Sequence, residues 1–408
     1  MKSALNLKRS FVITLGLMTA VAALTVDVSL PAVPAMVDAL GTNLSRGQKI
    51  IGIFMLGMAF GQIPAGLFSD RLGRLPVLYA GLFVFTGAAI VAAAANSIEL
   101  MLVARFVQGI GAAASVVLSR AIVRDVAHGT DAARLMSLMT MIFTVAPVIA
   151  PSIGALLVAQ WGWRAPFILI VVAGISITFS IRANIGETHT PNPQGHPVRQ
   201  LQNSTREFFS HRQSIWGLLL LILPPAGFMS VISISAALAV EIYGYSLQRY
   251  GLLFALAGIS ILAGSIVNRY LVLRFDQLRL IGVGVALIAI SSMQLLIIAW
   301  LDTAPFWWLW GCVCLFMFTI AILMANSTVL ALDPLPKVAG VASSIIGTMQ
   351  NLVGAAGALG AAAIYNGSIR NSVIIMAAVG ITVTLIFLLK PLIAPGPFTQ
   401  NPDELARD

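Results

Sequence analysis

Asp27 and Arg105 each interrupt a long apolar stretch in a chain with only 10% charged residues. A carboxyl group removed from water favours its protonated form, so Asp27 is suited to taking up and releasing a proton. The alternative is a structural role, in an ion pair or as a hydrogen-bonded acid. Ionisable groups within long apolar helices are functional by default, which favours the proton carrier.

Arg105 lies in the segment Ala104–Gly111, about six residues into its apolar stretch. A guanidinium out of water needs an acceptor or an anion, and Asp27, helix carbonyl groups and an anionic substrate group all qualify. A purely structural arginine is the alternative. Gln108, three residues on, is expected to face the same cavity. The glycines Gly109 and Gly111 favour close packing of this helix on its neighbours.

A compact charged segment, Gly66-Leu67-Phe68-Ser69-Asp70-Arg71-Leu72-Gly73-Arg74, separates two apolar runs. An acid followed by two arginines is too costly at bilayer depth, so the sequence predicts a turn at a membrane face. We assign a gating or conformational role to five of its residues: Gly66, Asp70, Arg71, Gly73 and Arg74.

The composition excludes a soluble globular protein. The chain has 408 residues, of which 59% are hydrophobic, and a mean hydropathy of +0.94. Soluble domains are about 45–50% apolar. At about 20 residues per membrane-spanning helix, this length accommodates about twelve spans. We therefore predict an all-α integral membrane protein with two six-helix bundles.

Run lengths between charged or turn-forming residues place the twelve spans. The predicted spans are 10–37, 47–67, 75–95, 99–120, 133–159, 165–183, 214–239, 248–270, 279–301, 305–331, 338–366 and 371–392. The segment 184–213 is polar and proline-rich, so we predict a cytoplasmic linker between bundles 1–183 and 214–392, with a cytoplasmic tail at 393–408.

Charge sets the orientation. In this topology eighteen of the 24 Lys and Arg residues lie on the side of the N-terminus. The positive-inside rule then predicts that both termini are cytoplasmic. The net charge of +9 is explained by this asymmetry, which argues against a nucleic-acid partner.

Pro147 and Pro151 are four residues apart in the fifth span and bend the same helix face, either as a pivot or as a static kink. With Gly154 they complete the set of residues given a conformational role. Further residues expected to line a substrate cavity are Phe54, Met55, Met58, Asn326 and Gln350.

The four histidines all fall in predicted loops without a neighbouring carboxylate cluster, and the sequence has no G-x-x-x-x-G-K-[ST] motif. These features argue against a metalloenzyme and against ATP as the energy source. We expect no cofactor and no metal site, and ion gradients remain as the energy source.

The charged segment resembles the G-x-x-x-D-R-x-G-R loop between helices 2 and 3 of the major facilitator superfamily. A narrower resemblance to the Bcr/CflA group of drug:proton antiporters runs over nearly the whole chain. It rests on the stretch Asp27–Pro34, Arg105 with Gln108-Gly109, Arg124-Asp125, the Ala-Pro-x-x-Ala-Pro-x-x-Gly of 146–154, and Ala342-Ser343-Ser344.

This resemblance implies proton coupling at Asp27, export through the 146–154 motif and a turn at 70–74 that locks the outward-facing state. We therefore expect a monomeric, proton-coupled efflux transporter of the inner membrane for small drug-like or amphipathic molecules, and not an enzyme. Two alternatives are a proton-coupled uptake symporter for a metabolite such as a nucleoside or siderophore, and a non-transporting membrane sensor or enzyme.

Overall fold

The computed structural model describes residues 9–127, 129–189, 197–335 and 339–394. Within these ranges the chain is helical and contains no β-strand. The first seven helices are α1 (Arg9–Ser29), α2 (Val33–Ala39), α3 (Leu44–Leu72), α4 (Arg74–Ala93), α5 (Ile98–Val126), α6 (Gly129–Trp161) and α7 (Ala165–Asn184).

The remaining helices are α8 (Pro197–Ser210), α9 (Arg212–Ile222), α10 (Pro224–Ala237), α11 (Leu247–Leu271), α12 (Gln277–Leu301), α13 (Phe306–Leu332), α14 (Ala339–Ile364), α15 (Ile369–Leu388) and α16 (Lys390–Ile393). A 3₁₀ turn at Leu30–Ala32 joins α1 to α2, and a π-helical turn at Leu238–Ile242 follows α10.

Eleven helical stretches of the described residues are long and apolar enough to cross a membrane. The predicted fifth span, 133–159, lies within the 33-residue α6, of which the described apolar part is Val145–Trp161. The predicted tail beyond residue 394, residues 1–8 and the linker residues 190–196 lie outside the described residues.

The chain divides into two compact units. Unit 1 comprises Met1–Pro197 with Ala239–Ala255, and unit 2 comprises Val198–Leu238 with Leu256–Asp408. The segment Ala239–Ala255 belongs to the predicted C-terminal bundle, 214–392, but in the structure it groups with unit 1.

Proline interrupts two spans that were predicted to be continuous. Pro31 and Pro34 lie where α1 passes through the 3₁₀ turn into α2. Pro224 and Pro225 begin α10 just after α9 ends at Ile222. A proline lacks the N–H of the helical ladder and clashes with the preceding turn, which explains both interruptions.

The predicted linker 184–213 contains a helix, α8, which the proline-rich composition did not indicate. Its Phe208 is fully buried in the core of unit 2. The neighbours in that core are Leu218, Leu221, Ile222, Ala331, Leu335, Ala342 and Ile346. Burial of such a side chain contributes about 1.5–3 kcal/mol, which favours the packing of α8 on unit 2.

Side-chain caps define where several helices begin. Asn43 accepts a hydrogen bond from the Arg46 N–H at 2.9 Å at the start of α3, and Ser97 accepts one from the Leu100 N–H at 3.2 Å at the start of α5. Each cap satisfies a backbone donor that the helix itself cannot. These caps define the first residues of α3, which leads into the charged segment, and of α5, which carries Arg105.

Candidate functional site

The charged segment is more helical than predicted. The expected turn at 66–74 is wrong in detail, because α3 continues to Leu72 and Gly73 is the single residue between α3 and α4. Gly73 has φ +98°, a conformation that L side chains rarely adopt. Asp70 and Arg71 therefore lie in the last turn of a helix, and Arg74 begins the next one.

Arg74 is the centre of an ion-pair network in unit 1. Its guanidinium pairs with Asp70, donates from Nε to Asp125 Oδ2 at 2.9 Å and donates from Nη1 to Ser69 Oγ at 2.8 Å. Its side chain is only 8% exposed, and a charge with so little access to water needs compensation. The carboxylates of Asp70 and Asp125 provide it. Asp125, at the end of α5, links the segment to the helix that carries Arg105.

Glu187, three residues after α7, joins this network and was missed by the sequence analysis. Its carboxylate accepts from the N–H groups of Arg74 and Leu75, both at 2.9 Å, and from those of Thr188 and His189. Burial alone would raise the pKa of Glu187, but the four N–H groups hold this pKa below its usual value. A negative charge at the N-terminus of α4 also complements the helix dipole.

The residues after Glu187 contact the same network. Thr188 donates from its hydroxyl to Asp125 Oδ2 at 3.0 Å, and His189 Nε2 lies 3.3 Å from the backbone oxygen of Asp70. In the sequence, Glu187 is visible only as an acid just beyond the end of a helix. Its partner Arg74 could not be recognised, because it is more than 110 residues away in sequence.

Two residues of the charged segment make little or no contact with this network. Gly66 joins it only through its backbone, because its carbonyl oxygen accepts from the Ser69 hydroxyl at 2.8 Å. Arg71 is exposed and has no hydrogen-bond or ion-pair partner in the part of the chain that the structure describes. A Cβ added at Gly66 would meet only Val117 Cγ1, at an ordinary 3.8 Å. In unit 1, Arg71 is therefore not fixed by the contacts that fix Arg74, and the Cβ position of Gly66 lacks the close approach seen at Gly73.

Arg105 is fully buried in unit 1. It donates from Nη1 to Gln108 Oε1 at 2.9 Å, from Nε to the Ile50 carbonyl oxygen at 3.4 Å and from Nη2 to Ser29 Oγ at 3.4 Å. The ring centroids of Phe54 and Phe167 lie 4.7 and 5.9 Å from its guanidinium carbon. Of the acceptors that the sequence analysis offered, the helix carbonyl is confirmed.

Glycines bring Phe54 and Ile50 to Arg105. A Cβ on Gly57 of α3 would collide with the Phe106 carbonyl oxygen, and one on Gly109 of α5 with the Phe54 carbonyl oxygen. The two helix backbones therefore touch, as small residues allow in membrane helices. The prediction that Gly109 serves close packing is confirmed.

Asp27 lies in α1 and is 4% exposed. It forms no ion pair with Arg105, and no other described residue provides its carboxyl group with a hydrogen-bond or ion-pair partner. The structure thus places the acid and the base in one unit without joining them. Ser29, two residues after Asp27, contacts the guanidinium in its place.

The Ala-Pro-x-x-Ala-Pro-x-x-Gly motif of 146–154 lies in α6 and packs on α1, the helix that carries Asp27. Pro147 and Pro151 both lie inside the continuous helix α6. A Cβ on Gly154 would collide with the carbonyl oxygen of Val28. Gly154 thus permits the backbones of α6 and α1 to touch beside Asp27.

The residues predicted to line a substrate cavity occupy different surroundings. Phe54, Met55 and Met58 are buried along α3. In unit 2, buried Asn326 donates to Asn268 Oδ1 at 2.7 Å and to the Ile322 carbonyl oxygen at 2.8 Å, so it links α13 to α11. Gln350, which is half-buried, donates to the Leu221 carbonyl oxygen at 3.5 Å.

Several buried polar atoms lack a hydrogen-bond partner among the described residues. Both amide atoms of Gln48, the Nε2 of Gln108 and the hydroxyl of Ser115 belong to this group in unit 1. Buried polar groups are usually satisfied, so each such atom requires an explanation. Of these three residues, Gln108 is the one that is hydrogen-bonded to Arg105, through the Oε1 of the same amide group.

Comparison with known proteins places this arrangement in a family. A family model described as Major Facilitator Superfamily matches residues 15–358. A bicyclomycin resistance protein homolog from Haemophilus influenzae is 29% identical over 348 residues, which cover 85% of this chain and 87% of that protein. Multidrug resistance protein D from Escherichia coli is 29% identical over 343 residues, 84% of this chain and 86% of that protein.

The fold agrees with this assignment. A crystal structure of a D-xylose-proton symporter superposes with a TM-score of 0.75 at 16% identity, covering 93% of this chain and 96% of that chain. At that identity the likeness concerns the fold alone. With a family match over most of its length and eleven candidate spans, this chain belongs to the Major Facilitator Superfamily and is a multi-pass membrane transporter rather than an enzyme.

Proposed function

We propose that this transporter is a proton-driven exporter of small drug-like or amphipathic molecules across the cytoplasmic membrane. The observation that carries the proposal is Asp27, a buried carboxyl group without a partner among the described residues. A carboxyl group with no fixed counter-ion can gain or lose a proton without breaking a structural ion pair. The proton gradient supplies the energy, so the mechanism needs no cofactor.

The relatives support export as the direction and drugs as the cargo. Two of them bear the names bicyclomycin resistance protein homolog and multidrug resistance protein D, and each aligns with more than four fifths of this chain. Resistance through a membrane transporter is most simply achieved by moving the toxic compound out of the cell.

The exchange cycle follows from competition at Asp27. A proton that enters from the outside neutralises the carboxylate and displaces the substrate. Release of that proton to the cytoplasm restores the charge and the affinity for substrate. Substrate and proton never occupy Asp27 together, which is the condition for exchange rather than cotransport.

The network around Arg74 would stabilise one end state of this alternating-access cycle. It is compact, because Asp70, Asp125 and Glu187 hold the junction of α3 and α4 against the end of α5. A cluster that charged contacts hold in one arrangement can act as one position of a two-state switch. The bends at Pro147 and Pro151 would supply the pivot.

The proposed topology has twelve spans, with α6 as the fifth and both termini in the cytoplasm. The 33 residues of α6 are enough to cross a bilayer of about 30 Å at 1.5 Å per residue. The excess of basic residues on the N-terminal side supports this orientation. We propose a monomer as the working unit, since one chain supplies both units.

An uptake symporter remains the second candidate, because the structural neighbour with a TM-score of 0.75 is a proton symporter. The fold serves both directions of transport. The two functions differ in the sign of proton movement, so one measurement separates them.

The test uses inside-out membrane vesicles with an acidic lumen and a pH-sensitive dye inside. Drugs and metabolites are added one at a time to the outer face, which corresponds to the cytoplasm. For an exporter, a substrate that enters must drive protons out, and the lumen becomes less acidic. We expect this response in the wild type and its loss in Asp27→Asn.

Asp38→Asn is the matched control, because Asp38 is an exposed carboxylate near the end of the same predicted span and should leave the response intact. Proton flux of the opposite sign would establish uptake. An undiminished response in Asp27→Asn, with normal protein levels, would refute the assignment of the proton site.

A further inference from the structure

The junction of α11 and α12 in unit 2 exposes apolar side chains beside uncompensated arginines. We infer that this junction, residues 269–275, binds anionic phospholipids at the membrane surface. Arg269 and Arg274 hold the phosphate group, and Leu273 and Phe275 pack among the first methylene groups of the acyl chains. The inference concerns unit 2 alone and depends neither on Asp27 nor on the direction of transport.

Four large apolar side chains of the junction are exposed. The exposed fraction is 80% for Leu273 and 47% for Phe275, and Tyr270 and Val272 are also exposed. Three of them, Val272, Leu273 and Phe275, follow the last residue of α11, so they do not belong to the lipid-facing wall of a spanning helix. An exposed apolar patch that polar residues surround marks an interaction site.

The backbone of the junction is fixed by its own hydrogen bonds. The N–H of Val272 donates to the Asn268 carbonyl oxygen, and the N–H groups of Arg274 and Phe275 both donate to that of Leu271, each at 3.0 Å. These bonds satisfy the backbone groups that follow the end of α11. The apolar side chains therefore project from an ordered turn, and their exposure is a property of the fold.

Arg269 and Arg274 carry positive charges that the protein does not neutralise. Both are exposed, and neither side chain has a hydrogen-bond or ion-pair partner in the part of the chain that the structure describes. The neighbouring acid, Asp276, is already engaged. It caps α12 by accepting from the Arg279 N–H at 2.8 Å, and it pairs with Arg279 Nε at 3.2 Å. The two arginines are thus available to an external anion.

The junction of α3 and α4 in unit 1 shows a different use of arginine at a short connection between two helices. There Arg74 is almost buried, because Asp70 and Asp125 neutralise it within the protein. At the junction of α11 and α12 the arginines face outward, next to Leu273. Arginines turned away from the protein and set beside apolar groups need a partner that offers both a negative charge and apolar surface.

A phospholipid meets both requirements. The junction joins the spanning stretches Leu247–Leu271 and Gln277–Leu301 through residues 272–276 alone, so it lies where headgroups meet hydrocarbon. At this depth apolar side chains are removed from water and arginines extend to the phosphate layer. Arginine binds phosphate by parallel hydrogen bonds, and an anionic surface attracts each basic residue further. A second copy of the same surface is a poorer partner, because a symmetric contact would bring arginines together.

The test measures lipid binding by the purified full-length protein in detergent. The probes are phosphatidylglycerol, phosphatidylcholine with the same acyl chains, and inorganic phosphate, and dissociation constants are taken from the rise in unfolding temperature. We expect phosphatidylglycerol to bind the wild type about tenfold more tightly than phosphatidylcholine, because two arginines contribute. Inorganic phosphate at the same concentration should not stabilise the protein.

The variants separate the headgroup from the acyl chains. Arg269→Gln and Arg274→Gln should each weaken the binding of phosphatidylglycerol about fivefold and leave that of phosphatidylcholine unchanged. Leu273→Ser should weaken the binding of both lipids equally. Since all three side chains are exposed, the variants should unfold with the wild type in detergent without lipid, which separates loss of the site from loss of the fold.

Arg182→Gln is the matched control. Arg182 is an exposed arginine in the last turn of α7 that also has no partner among the described residues, but no exposed apolar turn follows it. This variant should keep the affinity of the wild type for both lipids. A loss as large as that of Arg274→Gln would show a general effect of positive charge and overturn the site.

Three further results would also overturn the proposal. The first is equal binding of the two lipids by the wild type, and the second is equal stabilisation by inorganic phosphate, which would show a site for free anions. The third is dissociation of a dimer in Leu273→Ser, seen by light scattering, which would assign the junction to a contact between copies. Because binding is measured without transport, none of these results bears on the proposed exporter.

Discussion

The carboxylate of Glu187 occupies the space above Gly73 that a side chain would need. A Cβ built on Gly73 would lie 2.8 Å from Glu187 Oε2, while Gly73 itself has φ +98°. The glycine thus allows both the sharp passage from α3 to α4 and the approach of an acid from beyond α7. Gly73 is therefore required both by its backbone conformation and by the position of the Glu187 carboxylate.

Gly73→Ala should destabilise the protein, because it imposes strain of about 1–3 kcal/mol and also displaces Glu187. The measurement is thermal unfolding in detergent, combined with substrate-evoked proton flux. Gly66→Ala is the matched control in the same segment, since its added methyl group meets only Val117 at 3.8 Å. Equal effects of the two substitutions would contradict the steric role assigned to Gly73.

Glu187→Gln should lower the unfolding temperature in a pH-dependent way. Because the pKa of Glu187 is held below its usual value in the folded protein, its charge stabilises the fold above the unfolded pKa of about 4.3. That stabilisation is lost as the pH falls through the lower folded value. The gap between wild type and variant should be full at neutral pH and close in acid.

The exposed Glu207 of α8 provides the control for this series. A Glu207→Gln variant should unfold with the wild type at neutral pH. A gap for Glu187→Gln that is independent of pH would show that the carboxylate charge is not what holds the N-terminus of α4.

Arg74→Gln should be far more damaging than Arg71→Gln, although both are arginines of the charged segment. Removal of Arg74 leaves Asp70 and Asp125 without their common partner. Breaking a buried pair costs about 3–5 kcal/mol, and the lower end applies here because the Asp70 side chain is 53% exposed. Thermal unfolding of both variants checks the order. Arg71→Gln unfolding at or below the temperature of Arg74→Gln would refute it.

Asn268 and Asn326 should behave as a coupled pair. Each single alanine variant removes the hydrogen bond of 2.7 Å between them, so the double variant should lose less than the sum of the two. Coupling of about 0.6 kcal/mol, with an upper limit near 1.7 kcal/mol, is expected for such bonds in membrane proteins. Additive losses in unfolding free energy, together with weakened substrate binding in Asn326→Ala alone, would support the cavity role instead.

Gly154→Val should abolish transport by forcing α6 away from Val28 and the neighbouring Asp27. Overpacking typically costs about 1–3 kcal/mol. Gly87→Val is the control, because a Cβ at Gly87 meets nothing within 4 Å. Substrate-evoked proton flux, normalised to the amount of folded protein, distinguishes the two variants. Full activity of Gly154→Val would show that the contact with α1 is dispensable.

The sequence alone determined the class of protein and most of its helices. Apolar runs of about twenty residues have few alternatives to spanning helices, since lipid leaves backbone groups no other partner. Isolated charges in such runs are rare, so Asp27 and Arg105 were visible without a structure. Local rules also predicted the close packing at Gly109.

The tertiary structure decided which partners these residues have. Helices that are apolar on all sides give no periodic signal to show which face meets which neighbour, so the contacts of Arg105 with Ser29, Ile50 and Phe54 were beyond prediction. The same holds for Glu187, which reaches Arg74 across 113 residues. The composition shows that this chain lies in a membrane, because its apolar runs are long enough to span lipid. Which groups its buried charges contact depends on distances that the packing of the helices determines.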